Sequence, residues 1–498
     1  MHCSRKNTLI ALVFAYGAIV AIACIYRFSQ PLTSHALTQF DIFDWIGQSR
    51  NIQLTGIMPA HNIWFFPAFN ALLSTLGHVD LFSVYLFGGA VVTTLALLPL
   101  AGIVWLLTKD HRATLITLFL YAVMQKILAR SVMYLPEAMT YLFGLTLLYL
   151  YVLLFRNRRW VVLIPIWLVT VGFIFLHQSG LNFLAFSAIV TVTYVLFFSG
   201  LTVKWRYVLG SIAIALLSFL TIVIKPVRIG LTFFFSQGNG ADKLAFQGDV
   251  ISFRQIISAY EPLYVILFTL GVVTVVIHFF SKNPRWLKVS LGVLFLVMFF
   301  YFTFLYILPN LNIYRLTPWR FYTWFSLFTL PIVGYGISAV CQKVRLSGSI
   351  QAFAVAIIII VSLNTSLVPD NMYTANAQTL QDMKNLPLPA QSLVITTNAN
   401  YLQTRYALLE HEVSLLQLAT EFFKASSPKA AHDYVKHFTI PGKETYILIS
   451  KYQLRQRPTS IDYWRNSAMY DMDVTLFQQP FFETINETPE VLLLRVKL

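Results

Sequence analysis

At 498 residues the chain is 57% hydrophobic and only 11% charged, with a mean hydropathy of +0.66. Soluble domains carry charge on about a quarter of their residues, so an ordinary soluble enzyme is excluded and a polytopic membrane protein is indicated. The formal charge of +15 does not point to nucleic acid, because most of the basic clusters fall in every second loop; the three cysteines, Cys3, Cys24 and Cys341, form neither a metal spacing nor a disulfide framework.

The N-terminus, MHCSRKNT, precedes an apolar run over 9–26. It has the charged start and greasy middle of a signal peptide but no convincing small-residue cleavage site, so it reads as a retained first helix; cleavage near Ala23 is the alternative. A membrane span needs about 20 apolar residues, and the chain offers about eleven such runs. They centre near residues 18, 95, 118, 146, 168, 190, 215, 270, 297, 332 and 357. The loops between them alternate. Those at 109–112, 156–159, 204–206, 282–288 and 343–345 are short and basic, and with Arg5 and Lys6 they read as cytoplasmic. Those at 28–79, 127–137, 177–182, 225–262, 308–322 and beyond 367 are richer in acids and aromatics and read as the outer set. The expectation is therefore a plasma-membrane protein with about eleven helices, its N-terminus cytoplasmic and its C-terminus outside.

The first outer loop carries FDIFDWIGQSRNI, residues 40–52, in a chain with 21 acids in all. On a helix, Asp41 and Asp44 stand three apart and share a face. Phe40, Phe43 and Ile46 would line the opposite face, as in a helix lying on the outer membrane surface. A solvated acidic face is the common meaning of such a pair; a carboxylate at this interface is also placed to act as general base on a hydroxyl. Further along the same loop, His61 reads as loop structure first and an acceptor-positioning group second. Asp80 reads as the cap of the next helix.

The run near 118 ends on Gln125, Lys126 and Arg130, so that helix is short or frayed at its outer end. Lys126 and Arg130 lie one turn apart; they either snorkel to headgroups or line a pocket for a lipid phosphate. Glu137, in YLPEAMTYLFGL, follows Pro136 at a helix start, where the dipole favours an acid. His177 and Gln178 end an apolar run on the outer side. A lone His there is usually a hydrogen-bonded structural group, but polar groups at membrane depth are expensive and tend to be functional. Asp242, Asp249 and Glu261 lie on the 225–262 loop, the last beside Pro262; Lys225 and Arg228 lie there too. Arg315 and Arg320, in NLNIYRLTPWRFYTW, precede a helix among interfacial aromatics. They read as snorkelling cations or as a phosphate clamp, for which the guanidinium fork is suited.

After Ser366 the chain turns polar. SLVITT (392–397), TYILIS (445–450) and VLLLRVK (491–497) read as strands, and Ser427 followed by Pro428 reads as a helix start. Strands alternating with a helix indicate a small α/β domain over 367–498, after a helical membrane domain over 1–366. It holds no nucleophile elbow, phosphate loop or zinc spacing.

Taken together, these parts resemble the GT-C superfamily of membrane glycosyltransferases, which use polyprenyl-phosphate-linked sugars and include the oligosaccharyltransferases and protein O-mannosyltransferases. DIFDWIGQSRNIQLTGIMP looks like the first-loop segment on which those enzymes place an essential acid. NIWFFPAFNALLSTL resembles the entry into the next helix, YLPEAMTYLFGL the second outer loop, and TPWRF a stretch with a basic residue near the lipid phosphate. The resemblance implies an α-helical polytopic fold with a small extracytoplasmic α/β domain. It also implies transfer of a sugar, with inversion, from a polyprenyl-phosphate donor to a lipid, glycan or protein acceptor. In that scheme Asp44 or Asp41 is the base, with an edge to Asp44 for its neighbour Trp45, and Glu137 orients the acceptor. Lys126, Arg130, Arg315 and Arg320 face the phosphate, while His61 and His177 touch substrate.

The chain departs from the oligosaccharyltransferases in two places. Their WWDYG motif has no match, IDYWRN (461–466) being the nearest string, and Glu137 stands alone where they carry two acids one residue apart. The implied enzyme is a monosaccharide transferase with no obligatory metal, a divalent cation being left open. The competing readings are a transporter or flippase for a lipid-linked or anionic substrate and a non-catalytic scaffold. Transporters carry their charges mid-helix near the bilayer centre, whereas most outer charges here lie in loops.

Overall fold

The computed structural model describes residues 2–37, 41–59, 63–131, 133–177, 179–199, 252–310, 318–343, 375–418, 426–455, 476–477 and 479–497. Seven described helices are long and apolar enough to cross a membrane. Ile10–Ser29, Leu81–Thr108, Pro136–Asn157, Gly180–Phe197, Pro262–Phe280, Arg285–Ile307 and Phe321–Gln342 account for the expected runs near 18, 95, 146, 190, 270, 297 and 332. The runs near 118 and 168 are the shorter apolar helices His111–Val123 and Trp160–Leu176. Those near 215 and 357, and the boundary at 366/367, lie outside the described residues. The chain is a multi-pass helical membrane protein.

Phe321–Gln342 is the central helix: 83% of its apolar window is buried inside the protein, against 17% for Pro262–Phe280. These two helices pack at Gly271 and Gly336. A Cβ at Gly336 would stand 2.5 Å from the Cα of Gly271, and one at Gly271 would stand 2.6 Å from the carbonyl oxygen of Ile332. In lipid there is little hydrophobic drive between helices, so close backbone approach at small residues supplies the packing instead. The core around the central helix is aromatic. Tyr301 stacks on Phe328 at 4.9 Å between centroids, and Phe304 stacks on Phe321 at 5.4 Å.

The C-terminal part is an α/β domain. Seven strands are described: β1 (Ala36–Leu37), β2 (Ala375–Asn376), β3 (Leu393–Thr397), β4 (Ser414–Leu418), β5 (Thr445–Ser450), β6 (Phe482–Glu487) and β7 (Val491–Val496). The five-stranded sheet runs β4-β3-β5-β7-β6. Strands β4, β3 and β5 are parallel, and β7 and β6 extend the sheet antiparallel. TYILIS is buried at all six positions because it lies in the middle of the sheet with both faces covered. Ser427 caps its helix as expected, its hydroxyl accepting from the Ala430 N–H at 3.2 Å with Pro428 in the first turn.

The remaining two strands join the domain to the membrane part. β1, directly after the first helix, pairs antiparallel with β2 at the domain's entrance. The first-loop helix, Asp41–Thr55, comes after β1. It packs against Phe65–Gly77 and Leu81–Leu95 on one side and against the domain helix Asn398–Ala407 on the other. It is thus a strut between bundle and domain, a contact that the sequence does not signal.

Candidate active site

Asp41 is the exposed first residue of the first-loop helix, and Asp44 is half-buried in its first turn. Both positions are favoured by the partial positive charge at a helix N-terminus, a cause that spacing alone does not reveal. Asp44 is well held. The Gln48 amide donates to its Oδ2 at 2.9 Å, and Nη1 of Arg405, on the domain helix, lies 3.9 Å from its Oδ1. The buried face of the helix is Ile42, Phe43, Ile46 and Ser49. The Ser49 hydroxyl donates to the Pro67 carbonyl at 2.9 Å and lies 2.8 Å from the Tyr85 hydroxyl. Trp45 packs edge-on against Phe66 at 5.6 Å; that contact, rather than an open site, occupies one side of its ring.

The domain clamps the other end of the same helix. Arg50 forms an ion pair with Glu410, and its guanidinium lies 5.3 Å from the ring centroid of Tyr406, which also meets Phe43 at 6.3 Å. The hydrogen bond from Arg50, and then its charge, hold the Glu410 carboxyl below the usual carboxylate range. Burial raises the Tyr406 phenol, opposed by Arg50.

A small cleft is lined by Met133, Leu135, Glu137, Ala138, Tyr141, Thr323 and Trp324. Its floor is irregular backbone. Pro136–Ala138 forms a 3-10 turn and Thr140–Gly144 a π turn before the helix becomes regular at Leu145. Such π turns recur at functional sites because they re-aim side chains within a helix. Glu137 is half-buried here. Across the cleft, the Thr323 hydroxyl donates to the Lys126 carbonyl at 3.0 Å and the Tyr141 hydroxyl donates to the Ile127 carbonyl at 3.0 Å. The Lys126 ammonium stands 5.9 Å from the ring centroid of Tyr322. His177 is buried behind Trp324, their rings 6.0 Å apart. Its Nδ1 accepts from the Ser179 N–H at 3.1 Å and lies 2.6 Å from the Ser179 hydroxyl, which in turn lies 2.8 Å from that of Thr140. A neutral ring with Nδ1 accepting carries its proton on Nε2.

Of the expected site residues the structure therefore places Glu137 in the cleft lining, with the Lys126 carbonyl tied to Thr323 and the His177 ring packed near Trp324. Asp41 and Asp44 are not in that lining; they sit on the strut, whose Trp45 reaches Phe66. Tyr134, between Met133 and Leu135, packs on Phe66 at 5.2 Å and on Tyr85 at 5.5 Å, and its hydroxyl donates to Asn70 at 2.8 Å. Arg130 and Arg320 lie on the described helices Gln125–Ser131 and Pro318–Lys343, but their side chains are outside the description. His61, Gln178, Lys225, Arg228, Asp242, Asp249 and Arg315 lie outside the described residues. Asp80 caps its helix as expected, accepting from the Ser83 N–H at 2.9 Å. Among the described residues, no three His, Cys, Asp or Glu side chains converge as a metal would require. Sequence reasoning missed Thr323, Trp324 and Arg405. The first two were masked by an aromatic-belt pattern; Arg405 gives no signal until its helix is docked.

No family model and no curated protein sequence matches the chain. Two cryo-EM structures of the arabinofuranosyltransferase AftD from Mycobacteria do match, with TM-scores of 0.56 and, for a variant, 0.54. Each aligns with 97% of this chain at 14% identity. The chain shares its fold with part of those AftD chains. It spans 40–41% of the length of those AftD chains. The crystal structure of ArnT from Cupriavidus metallidurans, bound to undecaprenyl phosphate, aligns over 98% of both chains at 11% identity with a TM-score of 0.39, too low to bear on the assignment. Within this fold the irregular segment 133–144 and the central helix form the cleft.

Proposed function

We propose that the protein is a membrane glycosyltransferase. It takes a sugar from a polyprenyl-phosphate-linked donor and transfers it, with inversion, to a lipid, glycan or protein acceptor on the side of the membrane that carries the sheet domain. The observation that carries this reading is the cleft. Glu137 lines it, Thr323 ties it to the Lys126 carbonyl and Trp324 packs near His177, in a bundle whose first-loop strut carries two further carboxylates. A first-loop aspartate, Asp44 or Asp41, takes the acceptor hydroxyl's proton as the new bond to the anomeric carbon forms. The bond from that carbon to the phosphate oxygen breaks, and the electron pair leaves with the polyprenyl phosphate. Glu137 orients the acceptor. Lys126, with Arg130, Arg315 and Arg320, neutralises the leaving phosphate, and His61 and His177 contact substrate. The sheet domain recognises the acceptor or covers the site, and no resident metal is required.

The test is turnover in nanodiscs with a panel of polyprenyl-phosphate sugars, pentofuranosyl donors first because the AftD structures are those of an arabinofuranosyltransferase. Loss of lipid-linked sugar is followed for the wild type and for Asp41→Asn/Asp44→Asn, each with and without EDTA. Turnover that requires the aspartates and survives EDTA supports the reading. Saturable lipid binding without turnover of any donor replaces it with transport or scaffolding.

A further inference from the structure

Arg27 sits near the end of the apolar stretch Ile10–Ser29 and is fully buried. A buried cation is costly unless other groups replace its water, and inside a membrane it calls for a purpose. Its partners are carbonyl oxygens and one ring. Nη2 donates to the Tyr121 carbonyl at 3.0 Å, Nη1 donates to those of Ala122 and Ala23 at 3.4 Å, and the guanidinium lies 4.7 Å from the Tyr121 ring centroid. Nε has no partner among the described residues. Tyr121 and Ala122 belong to the last turn of His111–Val123. Carbonyls there lack intrahelical partners, and the helix dipole favours a cation beside them. Arg27 is a C-terminal cap lent by another helix.

The chain then breaks. Met124 is extended, with ψ at 122°, and Gln125–Ser131 starts anew. The N–H of Gln125, the first of that short helix, donates to Glu261 Oε1 at 2.9 Å. Glu261 precedes Pro262–Phe280 but makes no side-chain bond to cap its own helix. It reaches across to cap another. The break is thus gripped from both sides by charges that match the two dipoles: a cation on the carboxyl end and a carboxylate on the amino end.

Lys126 lies two residues beyond Met124, and its carbonyl, like that of Ile127, is tied to the cleft-lining residues Thr323 and Tyr141. A continuous helix would keep Lys126 on the screw of His111–Val123; the break re-aims it. We propose that Arg27 and Glu261 form a split cap that sets where the Lys126 ammonium stands, and so tune affinity for the anionic phosphate of the lipid donor. This rests on the reading of Lys126 as a phosphate partner. Both are positioning residues and touch no substrate.

The probe is farnesyl phosphate, with farnesol as its uncharged control, titrated against the full chain in detergent by intrinsic tryptophan fluorescence. Lys126→Ala should weaken farnesyl phosphate about tenfold, the scale of one charge-assisted hydrogen bond, and leave farnesol unchanged. No effect would refute the phosphate role of Lys126, and the split cap's function with it. Arg27→Met and Glu261→Ala should each weaken farnesyl phosphate severalfold in wild-type protein and hardly at all when Lys126 is already alanine, since residues acting through one group are not additive. Glu261→Gln, which keeps an oxygen for the Gln125 N–H, should recover most of the affinity. Wild-type affinity in both cap variants alongside a weakened Lys126→Ala, or equal losses with and without Lys126, would overturn the proposal while leaving the phosphate site standing. If Arg27→Met does not fold, the Glu261→Ala and Glu261→Gln pair decides alone.

Discussion

A carboxylate serves as a base only if something holds it toward the proton it will take. Asp44 is held in place by the Gln48 amide, while Asp41 stands exposed at the helix's first position. Replacing both by Asn keeps the shape and removes the basicity, so turnover should fall by about 10²–10⁴, the usual worth of general base catalysis; single variants, assayed separately, identify the base. The Arg405 contact to Asp44 is long and exposed. Such a pair contributes at most about 1 kcal/mol, so Arg405→Ala should change the rate by less than tenfold. A larger loss would make the domain part of the catalytic machinery. Glu137 has a different task in this scheme, and Glu137→Gln should raise the acceptor KM more than it lowers the rate at saturating acceptor.

At the scale of elements, the strut Asp41–Thr55 was legible as a helix because its apolar residues recur at helical spacing. Its role was not. The pattern says nothing of docking; the contacts to Tyr406, Arg405 and Glu410, more than 350 residues away in sequence, show that the helix joins bundle to domain. The Arg50–Glu410 pair makes this docking sensitive to acid. Glu410's carboxyl is held below its ordinary range in the folded protein. Its contribution is therefore full above the ordinary carboxylate value and disappears as pH falls through the depressed one. Because Glu410 is 59% exposed, the contribution is no more than about 1 kcal/mol. Thermal unfolding should show Glu410→Gln slightly destabilised at pH 7, with the difference from wild type shrinking once pH falls below the ordinary carboxylate range and vanishing below the depressed value. A difference that grew toward acid would contradict the assignment.

For the whole molecule, the basic loops and the sheet domain should lie on opposite sides of the membrane. In a background freed of its native cysteines, a cysteine at Arg158 should be labelled by an impermeant thiol reagent only after permeabilisation, and one at Glu410 in intact cells. The reverse pattern would turn the protein over and place the cleft in the cytoplasm. The bundle itself depends on the Gly271–Gly336 crossing, where an added Cβ meets backbone that cannot move aside. Gly336→Ala should cost about 1–3 kcal/mol of overpacking, seen as a lower aggregation temperature in size-exclusion profiles.

That this is a polytopic helical membrane protein with an α/β tail could be read from the chain alone, because hydropathy and charge alternation are local properties that each segment carries by itself. The chain also marked Asp41, Asp44, Glu137, Lys126 and His177 as worth watching, since polar groups are few in it. Which of them meet was settled by packing. Glu137 lines a cleft because two turns depart from regular helix geometry, and the central helix brings Thr323 to the Lys126 carbonyl and Trp324 near His177. Arg27 carries no signal in the sequence, and Glu261 only that of an acid beside Pro262, because the broken helix they both cap is visible only in the fold. Caps across elements have no signature in sequence, because the groups they satisfy are backbone atoms that every residue has.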